Sequence, residues 1–168
     1  MATELDKQVP VEYPASATQQ TALRIGNTIA EMSKVAEFVE AFGRAHGLPG
    51  HVVNDMNLCL DELLNNTISY GYADEERHFI SVSLQIEGRA MVAALHDDAR
   101  PFDPRRASVP KQPGGLGRYR AGGFGLQFVN ALMDEVDYVR SGQYNQVKLK
   151  KMLQPPDAAA TTGEAMGK

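Results

Sequence analysis

Cysteine occurs once in 168 residues, as Cys59, which excludes an intramolecular disulfide; its apolar helical neighbours suit a buried small hydrophobe. No run approaches eighteen consecutive apolar residues, and the first twenty positions are polar, with Glu4 and Asp6 among them. Neither a membrane span nor a secretory signal is therefore expected, and the cytoplasm is the expected compartment. A basic excess is missing too: a formal charge of -4 argues against a mainly electrostatic nucleic-acid binder. There is no GxxxxGK(S/T) phosphate loop, no protein-kinase catalytic-loop pattern and no internal repeat. What is present, 43% hydrophobic and 23% charged residues, is ordinary for a soluble globular chain with room for one domain and its core.

The stretch Asn57 to Tyr72 organises the rest. Leu60, Leu63, Leu64 and Ile68 recur at helical steps and give one apolar face, while Glu62 and Asn66, four residues apart, stack one turn above the other. A carboxylate that accepts a proton beside an amide oxygen that ligates a hard cation suits a magnesium-nucleotide site. The same pair also fits a plain solvated helix face.

In chain order, residues 1–20 read as a flexible arm with an edge strand near Val9 to Tyr13, followed by a short strand over Thr21 to Ile25. Asn27 or Thr28 is placed to cap a helix carrying Ile29, Met32, Val35, Ala36, Val39 and Phe42, ended by Gly47, Pro49 and Gly50. The organising helix starts near Val52 and stops at Gly71, read as a left-handed cap. Alternation over His78 to Glu87, a turn at Gly88, and Ala90 to Leu95 predict a hairpin. Prolines and glycines from Asp98 to Gly123 predict a long functional loop, with a lid over about 99–123. A short helix after Gly125 and strands over Glu135 to Arg140 and Gln146 to Leu153 follow. Residues 154–168 read as a disordered tail, leaving 21–153 as the domain. This order favours an α+β sandwich, helices on one face of a mainly antiparallel sheet.

Two further constellations carry chemistry. His96-Asp97-Asp98-Ala99-Arg100-Pro101-Phe102-Asp103-Pro104 closes a strand, where a carboxylate accepts from an exocyclic amine and so selects adenine over guanine. A metal cluster of His96, Asp97, Asp98 and Asp103 is the rival, disfavoured because strand alternation separates adjacent side chains; a plain acidic turn is the third reading. Gly122-Gly123-Phe124-Gly125-Leu126 opens a helix, where bare backbone N–H groups approach phosphate. Glycines also serve ordinary turns. Gly114 to Gly117, with Arg118 and Arg120 beyond, reads as part of a mobile lid.

Taken in order, Glu62-Leu-Leu-Asn-Asn66, Asp97-Asp-Ala-Arg-Pro-Phe-Asp-Pro104 and Gly122-Gly-Phe-Gly-Leu126 resemble the N, G1 and G2 boxes of the GHKL ATPase superfamily, which includes gyrase and histidine kinases. The likeness is nearest to the anti-sigma-factor serine/threonine kinases of partner-switching systems, through Gly71-Tyr72, the Pro-Phe-Asp-Pro run, and Met133 to Val136 followed by Tyr138 and Asn145. It covers roughly Thr21 to Met152. The resemblance implies a Bergerat-type fold, helices over a mixed, mostly antiparallel sheet, with ATP and Mg2+ as cofactors. It implies Glu62 as general base, Asn66 as magnesium ligand, Asp97 as adenine reader, and Gly122, Gly123 and Gly125 as phosphate loop and lid hinge. Its implied partners are an anti-sigma antagonist of the STAS type and a sigma factor, without nucleic acid or membrane; homodimers are common in the family. Ala99 stands where the G1 box usually has glycine, and Tyr70 where a histidine is common. Two alternatives stay open: a catalytically silent ATP-gated binding switch, and the detached ATPase half of a histidine kinase. The latter is disfavoured because no long dimerisation helix pair with a phosphoacceptor histidine is evident.

Overall fold

The computed structural model describes residues 20–106 and 125–153. The expected arm strand at Val9 to Tyr13, most of the lid, Gly114 to Gly117, Arg118, Arg120, Gly122, Gly123 and the tail lie outside them. The elements are β1 (Thr21–Gly26), a 3-10 turn (Ile29–Glu31), α1 (Met32–Ala45), α2 (Gly50–Tyr70), β2 (Phe79–Glu87), β3 (Ala90–Asp97), a second 3-10 turn (Pro104–Arg106), α3 (Gly125–Leu132), β4 (Glu135–Ser141) and β5 (Tyr144–Met152).

The five strands form one sheet in the order β1-β2-β3-β5-β4, and all four pairings are antiparallel. Its two hairpins turn at Gly88 and Gly142, whose φ angles of 57° and 59° an L side chain rarely adopts. Side chains alternate in the way β structure demands. Ile80, Val82 and Leu84 of β2, Met91, Ala93 and Leu95 of β3, and Val147 and Leu149 of β5 join one buried cluster with Val35, Val39 and Phe42 of α1, Met56, Cys59, Leu60, Leu63 and Leu64 of α2, and Leu126 and Val129 of α3. The helices therefore cover one face of the sheet, as the element order led one to expect. Burial pushes the Cys59 thiol up to about 12, so it packs as a hydrophobe rather than reacting.

Two local expectations are corrected. Neither Asn27 nor Thr28 caps a helix through its side chain. Asn27 instead accepts from the His78 backbone N–H at 3.1 Å and donates its own N–H to the His78 carbonyl, which prolongs the β1–β2 pairing by one step. Gly71 does not adopt the left-handed conformation: its φ is -79°. It is glycine for want of space, because a Cβ there would collide with the Thr67 carbonyl oxygen and the Ala99 methyl. Its carbonyl receives the Arg100 N–H at 2.8 Å, so the end of α2 is stitched to the chain leaving β3.

Candidate functional site

Three segments distant in sequence meet where α2, the end of β3 and the start of α3 converge. Helical spacing sets the first pair. Asn66, 8% exposed, donates its Nδ2 to the Glu62 carbonyl at 2.8 Å and to Glu62 Oε1 at 2.7 Å. That spends the amide nitrogen and leaves Asn66 Oδ1 and Glu62 Oε2 without hydrogen-bond partners among the described residues. Gly125, the first residue of α3, lies so close to Glu62 that an added Cβ would overlap the carboxyl group. Glu62 and Gly125 are thus brought into contact across 63 positions of chain.

Asp97 comes from the sheet. Alternation puts it on the helix-facing side of β3, on the same side as Leu95, and only 4% of it is exposed. Its Oδ1 accepts from the Ala99 N–H at 2.9 Å and from Asn145 Nδ2 at 2.7 Å. Oδ2 has no partner among the described residues. Burial raises the Asp97 pKa above the usual carboxylate value, and the bonds from Asn145 and Ala99 oppose that shift. Asn66 and Asp97 line one cavity of about 590 Å³ together with Leu63, Leu95, Leu126 and Val147, and Gly71, Ala99 and Pro101 also border it. Exposed Tyr70 and Phe102 stand among its lining residues. Apolar walls with a few convergent polar groups are what a small-molecule site requires, and the volume falls within the roughly 300–1,000 Å³ usual for one.

The rival metal cluster is not assembled. His96 stacks on Tyr144 with ring centres 5.2 Å apart, Asp98 bonds His78 at 3.0 Å, and Asp103 pairs with Arg105 at 2.9 Å, so the four side chains do not bring their ligand atoms to one point. Asp74, Glu76 and His78 do approach one another closely, yet both ring nitrogens of His78 are engaged, by Asp98 and by Asp74.

Sequence reading missed the polar row behind Asp97. Asn145 pairs with Asp97 across β3 and β5, and Arg140 pairs with Asn145 across β5 and β4. Tyr138 and Asn145 were visible only as part of a resemblance, without a role, and Arg140 only as the end of an expected strand. The available signal was the period of two that puts Tyr138 and Arg140 on one face of a strand, and Asn145, Val147 and Leu149 on one face of the next.

Comparison with known proteins gives consistent matches. A family model described as the histidine kinase-like ATPase domain matches residues 25–151. The serine/threonine-protein kinase BtrW of Bordetella bronchiseptica is 27% identical over 100 residues, covering 60% of this chain and 70% of that protein. The serine-protein kinase RsbW of Oceanobacillus iheyensis is 27% identical over 90 residues, covering 50% of this chain and 56% of that protein. Among solved structures, that of the RsbU and RsbW domains of a Mycobacterium tuberculosis protein superposes with a TM-score of 0.57 at 17% identity, over 83% of this chain and 34% of the other. At that identity the likeness is one of fold.

Proposed function

The chain belongs to the histidine kinase-like ATPase domain family, and on that premise we propose that it is an ATP- and magnesium-dependent serine/threonine protein kinase of the anti-sigma-factor type. Its protein ligands on this reading are a sigma factor or similar target, which it holds, and a STAS-type anti-sigma antagonist, which it phosphorylates. The observation that carries the reading is the placement of Glu62. Its carboxylate is held by Asn66, a residue of the cavity wall, and abuts Gly125 at the start of α3. A protein that only bound nucleotide would have no use for a base fixed there.

Asp97 takes the part of base reader: a buried acceptor with one oxygen unspent suits the exocyclic amine of adenine and repels the carbonyl that guanine presents in its place. Leu63, Leu95, Leu126 and Val147 offer the apolar walls a purine needs. Asn66 fits a magnesium ligand, since its nitrogen is committed to Glu62 and its oxygen, a hard neutral donor, is not. Such an ion, when bound, supplies charge neutralisation at the phosphates. Glu62 then accepts the proton of the attacking serine or threonine hydroxyl, whose oxygen forms the new bond to the terminal phosphorus as the bond to the ADP oxygen breaks. Gly122 and Gly123, ahead of Gly125, complete the phosphate loop and lid hinge in this reading.

The relatives named as serine or serine/threonine kinases support the class of reaction. The test is transfer of label from γ-labelled ATP to the cognate antagonist. Glu62→Ala is expected to lower the rate by roughly a hundredfold to ten-thousandfold, the usual worth of a general base, while ATP still binds. Equal labelling by both proteins would remove Glu62 from the chemistry.

A further inference from the structure

Asn145 is 4% exposed and lies between two sets of partners of opposite character. On one side there are acceptors: Asp97 Oδ1 at 2.7 Å, the Ala99 carbonyl at 3.0 Å and the Arg100 carbonyl at 3.3 Å. On the other side there are donors: Arg140 Nη1 at 2.7 Å and the Tyr138 hydroxyl at 2.8 Å, both onto Asn145 Oδ1. A guanidinium cannot accept a hydrogen bond, so Arg140 fixes the oxygen end of the amide on its own side and the nitrogen end toward Asp97. Arg140 makes a second bond from the same nitrogen to the Ala99 carbonyl at 3.1 Å, closing the network around the turn that follows Asp97. Both amide hydrogens and the amide oxygen of Asn145 are thereby spent on protein groups. Although Asn145 borders the cavity, it has nothing left to offer a ligand and acts through Asp97.

We propose, building on the reading of Asp97 as the base reader, that Asn145 is the positioning residue for that carboxylate and that Arg140 keeps its amide the right way round. The row Asp97, Asn145, Arg140 across three strands then sets the preference for a purine with an amino group at the edge read by Asp97 over one with a carbonyl there. The physical reason lies in what each removal does. Two donors, Ala99 N–H and Asn145 Nδ2, converge on Oδ1 and anchor the carboxylate by one oxygen, leaving Oδ2 for the base. Without Arg140 the amide oxygen loses its charged donor and keeps only the Tyr138 hydroxyl, so the amide is held chiefly by the acceptors around its nitrogen and its donor to Asp97 Oδ1 is less firmly placed. A loosened donor lets the carboxylate turn away or take up a proton. Either result weakens the amino contact and lets a carbonyl be accepted.

The experiment measures dissociation constants for ATP and GTP by displacement of a fluorescent ADP analogue, in wild type and in Asp97→Asn, Asn145→Ala, Arg140→Met and Arg140→Lys. Asn145→Ala and Arg140→Met are expected to reduce the ratio of the GTP constant to the ATP constant by about tenfold, equivalent to about 1.4 kcal/mol of lost discrimination. Arg140→Lys, which keeps a cationic donor that can reach both acceptors from one nitrogen, should hold the ratio within about threefold of wild type. A merely structural role predicts something else: both nucleotides weaken by the same factor and the ratio stays put, which overturns the proposal. Should Asn145→Ala not fold, judged by its thermal melt, the Arg140 pair decides alone, since Arg140 is exposed. If Asp97→Asn keeps the wild-type preference, the reading of Asp97 fails and takes the proposal with it. If Asp97→Asn loses the preference but Asn145→Ala and Arg140→Met keep it, only the proposal falls.

Discussion

Asp97 is a charge placed where the fold alone would not want one. Its pKa is raised chiefly by burial, so the ionised form is disfavoured in the native state relative to the unfolded chain. The sign follows: the penalty is present above the raised native value and disappears as pH falls toward the ordinary carboxylate range. An amide at the same position would still accept from Ala99 and Asn145 through its oxygen, without the buried charge. Asp97→Asn is therefore expected to melt higher than wild type at pH 7.5 in the absence of nucleotide, with the gap narrowing toward pH 4.5. A lower melting temperature at pH 7.5 would show that the carboxylate is better solvated than its 4% exposure implies. Of the proposed site, only the contact between residues one helical turn apart was readable from spacing alone; Asp97 and Gly125 were readable as motifs but not as neighbours of that pair. Glu62 and Asn66 are one helical turn apart, and that spacing by itself puts them in contact. The partner that orients Asp97 is 48 residues away, and no local pattern carries a contact made by strand register.

The end of α2 shows how an element boundary can be located correctly for the wrong reason. Gly71 does end the helix, but a left-handed cap and a close approach of two backbones leave the same letter in the sequence. The methyl of Ala99 and the carbonyl of Thr67 fill the space a side chain would need. Gly71→Ala should destabilise the protein by about 1–3 kcal/mol, the usual cost of overpacking a tight contact. Adding Ala99→Gly should recover only part of it, because the Thr67 carbonyl remains; a denaturation series over the single and double variants measures both. A second tie joins the loop after α2 to the end of β3. His78 stacks on Tyr72 at 4.3 Å and is bonded by Asp98 at 3.0 Å and by Asp74 at 2.9 Å. These bonds, Asp98 first, raise its pKa above the usual histidine value. A raised value means that the imidazolium contributes stability in full below about pH 6.5, the unfolded value, and loses it as pH rises through the native one. The difference in melting temperature between wild type and His78→Gln should accordingly be larger at pH 6.5 than at pH 9. A difference that does not change with pH would mean that the ring is held neutral.

Taken whole, the molecule is an acidic chain, with a formal charge of -4, for which the proposed substrate is itself a polyanion. Long-range electrostatics therefore oppose binding, and affinity must come from the apolar cavity and from a cation that offsets phosphate charge. The layered architecture was legible because early helices, late strands and clean alternation in the hairpins all point to helices over one face of an antiparallel sheet. The site was legible only in outline, since it forms where α2, β3 and α3 converge, and convergence depends on strand order and register. The cation's share of the affinity is measurable on the intact protein as a shift in melting temperature. A ligand that binds only the native state raises its stability by about 2.7 kcal/mol at a hundred times its dissociation constant. With magnesium present, saturating ATP should raise the melting temperature of wild type by several degrees, in line with that free energy for a domain of this size. Chelating the metal should remove most of the shift. In Asn66→Ala the shift with magnesium should fall to the level seen with chelator, because the amide oxygen assigned to the ion is gone. Equal shifts with and without metal in wild type would place the nucleotide's affinity in the base and the apolar walls alone and would leave Asn66 the single task of holding Glu62.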